Sequence, residues 1–164
     1  MRRSALIATL LALSTPVAGS AQYVPTQDLS LKGLAAVDLL VSFDGSDLSS
    51  DSTAALRDGA EVELRKSGLV IASRQGATAR PDGRLRIVLS ASANGRWTDD
   101  MVVRVQVEQT AILARTQEPM LMVTWYSEET ASRVATTDLI PVARSLMGRG
   151  LDRFLKAWLA SNGR

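Results

Sequence analysis

The 164-residue chain has no cysteine and no histidine. The absence of histidine removes the commonest general base and metal ligand that works near neutral pH. Without cysteine as well, thiol catalysis and the usual zinc sites are excluded, and the fold has no disulfide to brace it. Aromatic residues make up only 4% of the chain. Long hydrophobic runs are also missing. The stretch Ala5–Leu13 is nine residues long, whereas crossing a bilayer takes about 20 apolar residues. What remains is a globular composition, 46% hydrophobic and 22% charged, of a length that suits one domain.

That short apolar run has a specific context. Arg2 and Arg3 precede it, Pro16 breaks it, and the small residues Val17 to Ala21 follow. Gly19 and Ala21 fit the −3 and −1 positions of a signal peptidase site, so residues 1–21 read as a signal peptide cut before Gln22. Val17-Ala18-Gly19-Ser20 resembles a bacterial lipoprotein box with serine in place of the lipidated cysteine. A serine hydroxyl cannot form the thioether, so the expectation is a chain without a lipid anchor, periplasmic or secreted after cleavage. Residues 22–33 are a polar lead-in with Pro25, and residues 34–164 form a single domain.

Charge adds little support for a polyanion partner. Of 19 basic and 17 acidic residues, Arg2 and Arg3 fall in the signal, which leaves 17 of each. A general attraction to nucleic acid or a membrane surface is not expected of a neutral chain. The charge is nevertheless segregated: residues 22–63 sum to −6, 64–96 to +6, 97–138 to −4 and 139–164 to +4. Neighbouring elements of opposite sign can pair on the surface, at about 0–1 kcal/mol for each exposed pair, or present a polar docking surface.

Periodicity orders the elements. Val37, Leu39, Val41 and Phe43 alternate with Asp38, Leu40, Ser42 and Asp44, which predicts a strand. Asp44-Gly45-Ser46-Asp47 is a turn. A helix follows over about 52–66, with Ser50 or Asp51 as N-cap, an inward stripe of Leu56, Ala60 and Leu64, and Gly68 as the C′ residue. Leu69–Ala72 is a short strand and 75–83 a loop. Leu85, Ile87, Leu89 and Ala91 then alternate with polar positions, and Asn94-Gly95 marks a turn. Met101, Val103, Val105 and Val107 make a second alternating strand. After a turn at Thr116–Pro119, Leu121, Val123 and Trp125 make a third. Glu128–Asp138 reads as a polar loop. The last element is a helix over about 139–160, with Pro141 in its first turn. Its apolar face holds Met147, Leu151, Phe154, Leu155 and Trp158, and Arg149, Arg153 and Lys156 lie opposite. Gly148 and Gly150 weaken this helix unless they permit close approach to the sheet or mark a kink. The order β-α-β-β-β-β-α, with one apolar face per strand, predicts an α+β two-layer sandwich with both helices on one face of a mixed sheet.

No constellation of catalytic or metal-ligating residues emerges, and no cofactor is expected. The adjacent acids Asp99-Asp100 and Glu128-Glu129 lack the cross-cleft placement that glycosidases need. Asp44, Asp47 and Asp51 do not match an EF-hand loop. No Ser-x-x-Lys spacing occurs among Lys32, Lys66 and Lys156. The polar positions Arg86, Ser90, Arg104, Gln106, Glu108, Thr124 and Tyr126 would share the uncovered sheet face. Trp97, beside Arg96 in a turn, is either an interface anchor or a cap on the core edge. The stretch 65–86, with Arg65, Lys66, Arg74, Arg80, Arg84 and Arg86, is locally basic.

Strand Leu34–Phe43, the pair Thr124-Trp125, and the closing Leu151-Asp152-Arg153-Phe154 with Trp158-Leu159 and Asn162 resemble small uncharacterised proteobacterial periplasmic proteins. The element order is similar to envelope domains of the CsgG, LpoB and TolB amino-terminal type. That resemblance implies an interaction module in an envelope assembly and transfers no functional residue. The leading expectation is therefore a non-enzymatic periplasmic module that binds another envelope protein through its polar sheet face or an open strand edge. Self-association is left open. The alternative is a binder of a small ligand or anionic envelope polymer through 65–86, and a weak enzyme comes third. A flat polar sheet favours the first, and a deep pocket with convergent polar groups the others.

Overall fold

The computed structural model describes residues 28–44, 49–72, 81–94 and 97–163. The signal segment 1–21, Asp47, Arg74, Arg80, Gly95 and Arg96 lie outside the described residues. After a short 3-10 helix at Asp28–Leu31 come β1 (Ala36–Asp44), α1 (Ser50–Lys66), β2 (Val70–Ile71), β3 (Gly83–Asn94), β4 (Trp97–Ile112) and β5 (Pro119–Ala135). A 3-10 turn at Thr136–Asp138 leads into α2 (Leu139–Asn162). The strands form one mixed sheet in the order β2-β1-β3-β4-β5. β1 is parallel to both β2 and β3, and β3-β4-β5 is an antiparallel meander. Both helices cover one face, which gives the two-layer α+β architecture expected from the pattern.

The alternating strands bury what their period dictates. Leu85, Ile87 and Leu89 of β3 and Met101, Val103, Val105 and Val107 of β4 are all 0% exposed. They pack with Leu56, Ala60 and Leu64 of α1 and with Met147, Leu151, Phe154 and Trp158 of α2. Trp125 and Phe154 meet edge to face, with ring centroids 5.4 Å apart, the geometry aromatic quadrupoles favour. α1 is capped one residue earlier than the expected Ser50 or Asp51: the Ser49 side chain accepts a bond from the Ser52 amide. Gly68 follows the helix at φ 88°, as a C′ glycine should.

α2 lies close to the sheet at one of its two glycines. A Cβ on Gly150 would stand 2.7 Å from Val105 Cγ2, whereas one on Gly148 would meet nothing within 4 Å. The end of α2 ties down the start of the domain. The Trp158 indole donates to the Leu34 carbonyl at 2.7 Å. Asn162 donates to the Leu31 carbonyl and accepts from the Gly33 amide. Leu31 is itself 0% exposed, so the end of the lead-in contributes a core residue.

Two expectations about β5 are corrected. Glu128–Asp138 is not a loop down to its last residues: β5 continues to Ala135. Glu129, within that segment, and Ser127 just before it are buried beneath α2 despite their polarity. Leu121 and Val123 do not join the apolar face, being 60% and 49% exposed. The cause is a bulge. Val107 pairs with Trp125 but Glu108 pairs with Val123, which leaves Thr124 as an extra residue. A one-residue slip moves a strand's alternate side chains to the opposite face. Beyond Thr124, Leu121 and Val123 therefore stand on the open side with Thr110 and Glu108.

Candidate interaction surfaces

The open face is where strand alternation sends the positions between the core residues. Arg86 pairs in register with both Leu40 and Gln106, and Gln106 with Tyr126. Arg86, Ser90, Arg104, Gln106, Glu108 and Tyr126 thus share this face, as the sequence suggests. Cross-strand ion pairs order it. Arg84 lies 3.4 Å from Asp38 and 3.8 Å from Glu108, and Arg86 lies 3.5 Å from Glu108. Glu108, with a side chain only 10% exposed, also accepts a bond from Gln106 Nε2 at 3.0 Å. Arg104 donates through two nitrogens to Glu128, at 2.6 and 3.1 Å. Leu40, Val88 and Val102 lie half-buried among these charges. Tyr126 is 52% exposed and carries the only aromatic ring on the described part of this face.

Two expected members stand apart. The bulge turns the Thr124 hydroxyl to Gln109 Oε1, at 2.6 Å, and the Thr124 carbonyl accepts a bond from Ser30. Trp97 begins β4, and its side chain lies outside the described residues.

The adjacent acids are kept apart by the pleat. Glu128 sits on the open face, whereas Glu129 lies on the helix side, 3.0 Å from Arg149 Nε and 3.0 Å from Arg153. Asp100 accepts a bond from Ser132 at 2.8 Å. Among the described residues no cluster of acids could hold a metal ion. The described members of the basic stretch are dispersed and paired: Arg65 bonds Glu61 and Lys66 bonds Glu63 along α1, while Arg84 and Arg86 belong to the open face.

Two features were not anticipated. One is the outer rim of the sheet. β5 is the last strand in the order, and a groove of about 670 Å³ runs between it and α2. Trp125–Glu128 line one side, and Arg153, Lys156, Ala157 and Ala160 the other. The second is the end of the β4–β5 hairpin, which extends past the bulge and exposes Ile112, Met120, Leu121, Met122 and Val123, each by 42% or more. The signal was present in the sequence: Met120 to Val123 is apolar at four consecutive positions, so no register could bury all of them on one face.

Among the described residues no helix or strand covers the polar face of this sheet. No protein-family model matches the chain, and no curated protein matches its sequence. Among solved structures, the chain is similar to protein XCC0632 of family DUF330 from Xanthomonas campestris. Identity is 13% and the TM-score 0.40, over 78% of this chain and 86% of the other. It is also similar to a minor lipoprotein from Acinetobacter baumannii, at 16% identity and a TM-score of 0.28, over 79% of this chain and 92% of the other. Among the described residues no helix is long and apolar enough to cross a membrane.

Proposed function

We propose that the chain is a non-enzymatic interaction module of the bacterial cell envelope, acting in the periplasm after its signal segment is removed. The observation that carries this reading is the open sheet face. Its cations and acids are held in cross-strand pairs around half-buried Leu40, Val88 and Val102, with Tyr126 exposed beside them. A surface of this kind offers a partner preorganised polar groups with little left to order on binding, and an aromatic anchor of the type enriched in interfaces. The pairing of Arg104 with Glu128 and the burial of Glu129 under α2 also support the non-enzymatic part, because neither acid is left beside the other to act as a pair. The sequence supports the location through Arg2, Arg3, the Ala5–Leu13 run and the Gly19/Ala21 site, and the absence of a lipid anchor through Ser20.

The test is affinity capture of envelope proteins by the periplasmic chain, compared with Arg104→Glu and Tyr126→Ala. Arg104 and Tyr126 are exposed, so both variants should still unfold cooperatively, with Arg104→Glu melting slightly lower because it sets like charges opposite Glu128. The expected result is loss of one captured envelope protein from both variants. Capture that is unchanged in both would overturn the assignment of this face.

A further inference from the structure

We infer that the projecting end of the β4–β5 hairpin is a self-association site, at which β5 of one copy pairs antiparallel with β5 of a second copy across a two-fold axis at Leu121. The site adjoins the open face at Val123, which pairs with Glu108, but the inference does not rest on the proposed function.

The segment is defined on both sides. Among the described residues β5 is the terminal strand, and no strand neighbours its outer edge. Pro119, which lacks an amide hydrogen, begins it. At the other end the Ser30 hydroxyl occupies the Thr124 carbonyl. Five residues remain, Pro119-Met120-Leu121-Met122-Val123, and the last four are 47%, 60%, 42% and 49% exposed. Natural edge strands are commonly guarded by a charge, an internal proline or an inward-pointing polar group. Met120–Val123 has none of these.

Charge identifies the occupant. Exposed apolar side chains stand on both faces of the hairpin: Leu121 and Val123 on one, Met120 and Met122 on the other. A lipid bilayer would cover both faces, but the hairpin's end carries Arg115, Gln117 and Glu118, which would have to enter the hydrocarbon first. A second copy meets no such cost. Pairing about Leu121 sets Met120 against Met122, Pro119 against Val123 and Leu121 against its own copy, with no like charges opposed. It also sets Glu118 of each copy beside Thr124 of the other. There the groove between β5 and α2 begins, where Arg153 is paired with Glu129, Lys156 with Asp152 and Glu128 with Arg104, so Glu118 meets no unpaired like charge.

The absence of cysteine makes the test clean. Leu121→Cys would place two thiols in direct register across the axis, within the Cα separation a disulfide spans. The chain is expressed at full length, purified from the periplasm and oxidised, with Val62→Cys on exposed α1 as control. Sedimentation of the wild type and of Leu121→Arg across a dilution series reads association without cross-linking. The inference predicts a covalent dimer from Leu121→Cys and none from Val62→Cys. It also predicts a mass of two chains for the wild type and of one chain for Leu121→Arg. A wild type that is monomeric at every concentration overturns it, as does a Leu121→Arg variant that associates as the wild type does, or cross-linking equal at the two cysteines. A monomer that binds vesicles of phosphatidylethanolamine and phosphatidylglycerol through this hairpin, losing that binding in Leu121→Arg, overturns it in favour of lipid. None of these results bears on capture by the open face, which is read separately with Arg104→Glu.

Discussion

The two halves of β5 are one continuous strand of 17 residues, yet they belong to different environments. From Trp125 to Glu129 alternate residues are buried beneath α2, and two of the three, Ser127 and Glu129, are polar. From Pro119 to Val123 every residue is apolar and the four after Pro119 stand exposed. The half that looks like surface in composition is packed, and the half that looks like core is not. A single extra residue at Thr124 separates them. The lesson is that alternation assigns faces only as far as the next bulge, and that burial of a polar residue depends on what the facing element brings. Glu129 is tolerated because α2 supplies Arg149 and Arg153, and because Gly150 lets the helix lie close over Ser127 and Val105.

The largest effect should come from the packed half. Phe154 is 0% exposed and abuts Trp125, so Phe154→Ala should cost about 3–5 kcal/mol, read from denaturant unfolding at an unchanged m-value. That is a large fraction of the roughly 5–15 kcal/mol that holds a typical domain.

The same residue type in the core and beyond the bulge sharpens the contrast. Leu89→Ala, at a site 0% exposed, should lose roughly 2–5 kcal/mol. Leu121→Ala should stay within about 0.5 kcal/mol of the wild type when measured on the monomer. Equal losses at the two sites would mean that the hairpin end is packed after all.

The two glycines of α2 should respond with opposite signs. Gly150→Ala forces a methyl group against Val105 and should destabilise by about 1–3 kcal/mol. Gly148→Ala meets open space and should stabilise the helix by up to about 1 kcal/mol. Paired thermal melts would show both.

Much of this was legible in the sequence. The strict alternation of Leu85–Leu89 and Met101–Val107, the stripes of α1 and α2, Gly68 after α1 and Pro141 in the first turn of α2 each follow from local geometry. Together they gave the element order and the single covered face. The open-face residues were legible for the same reason, except Thr124, since a bulge leaves no mark on period two. The continuation of β5 was hidden because Ser127, Glu129 and Ser132 score as loop residues until the arginines of α2 are placed over the strand. The burial of Leu31 was hidden because it depends on Asn162 and Trp158, more than 120 residues away in sequence.

The methionines provide the most direct test of the central claim, that the bulge divides β5 into a covered and an uncovered half. Met101 and Met147 are 0% and 3% exposed, whereas Met120 and Met122, beyond the bulge, are 47% and 42% exposed. Limited peroxide oxidation of dilute native protein, followed by peptide mass spectrometry, reads all four sites in one sample, because thioether oxidation follows exposure. The account predicts that Met120 and Met122 become sulfoxides while Met101 and Met147 stay reduced, and that the four oxidise alike once the chain is denatured. Protection of Met120 and Met122 equal to that of Met101 in the dilute native monomer would contradict it.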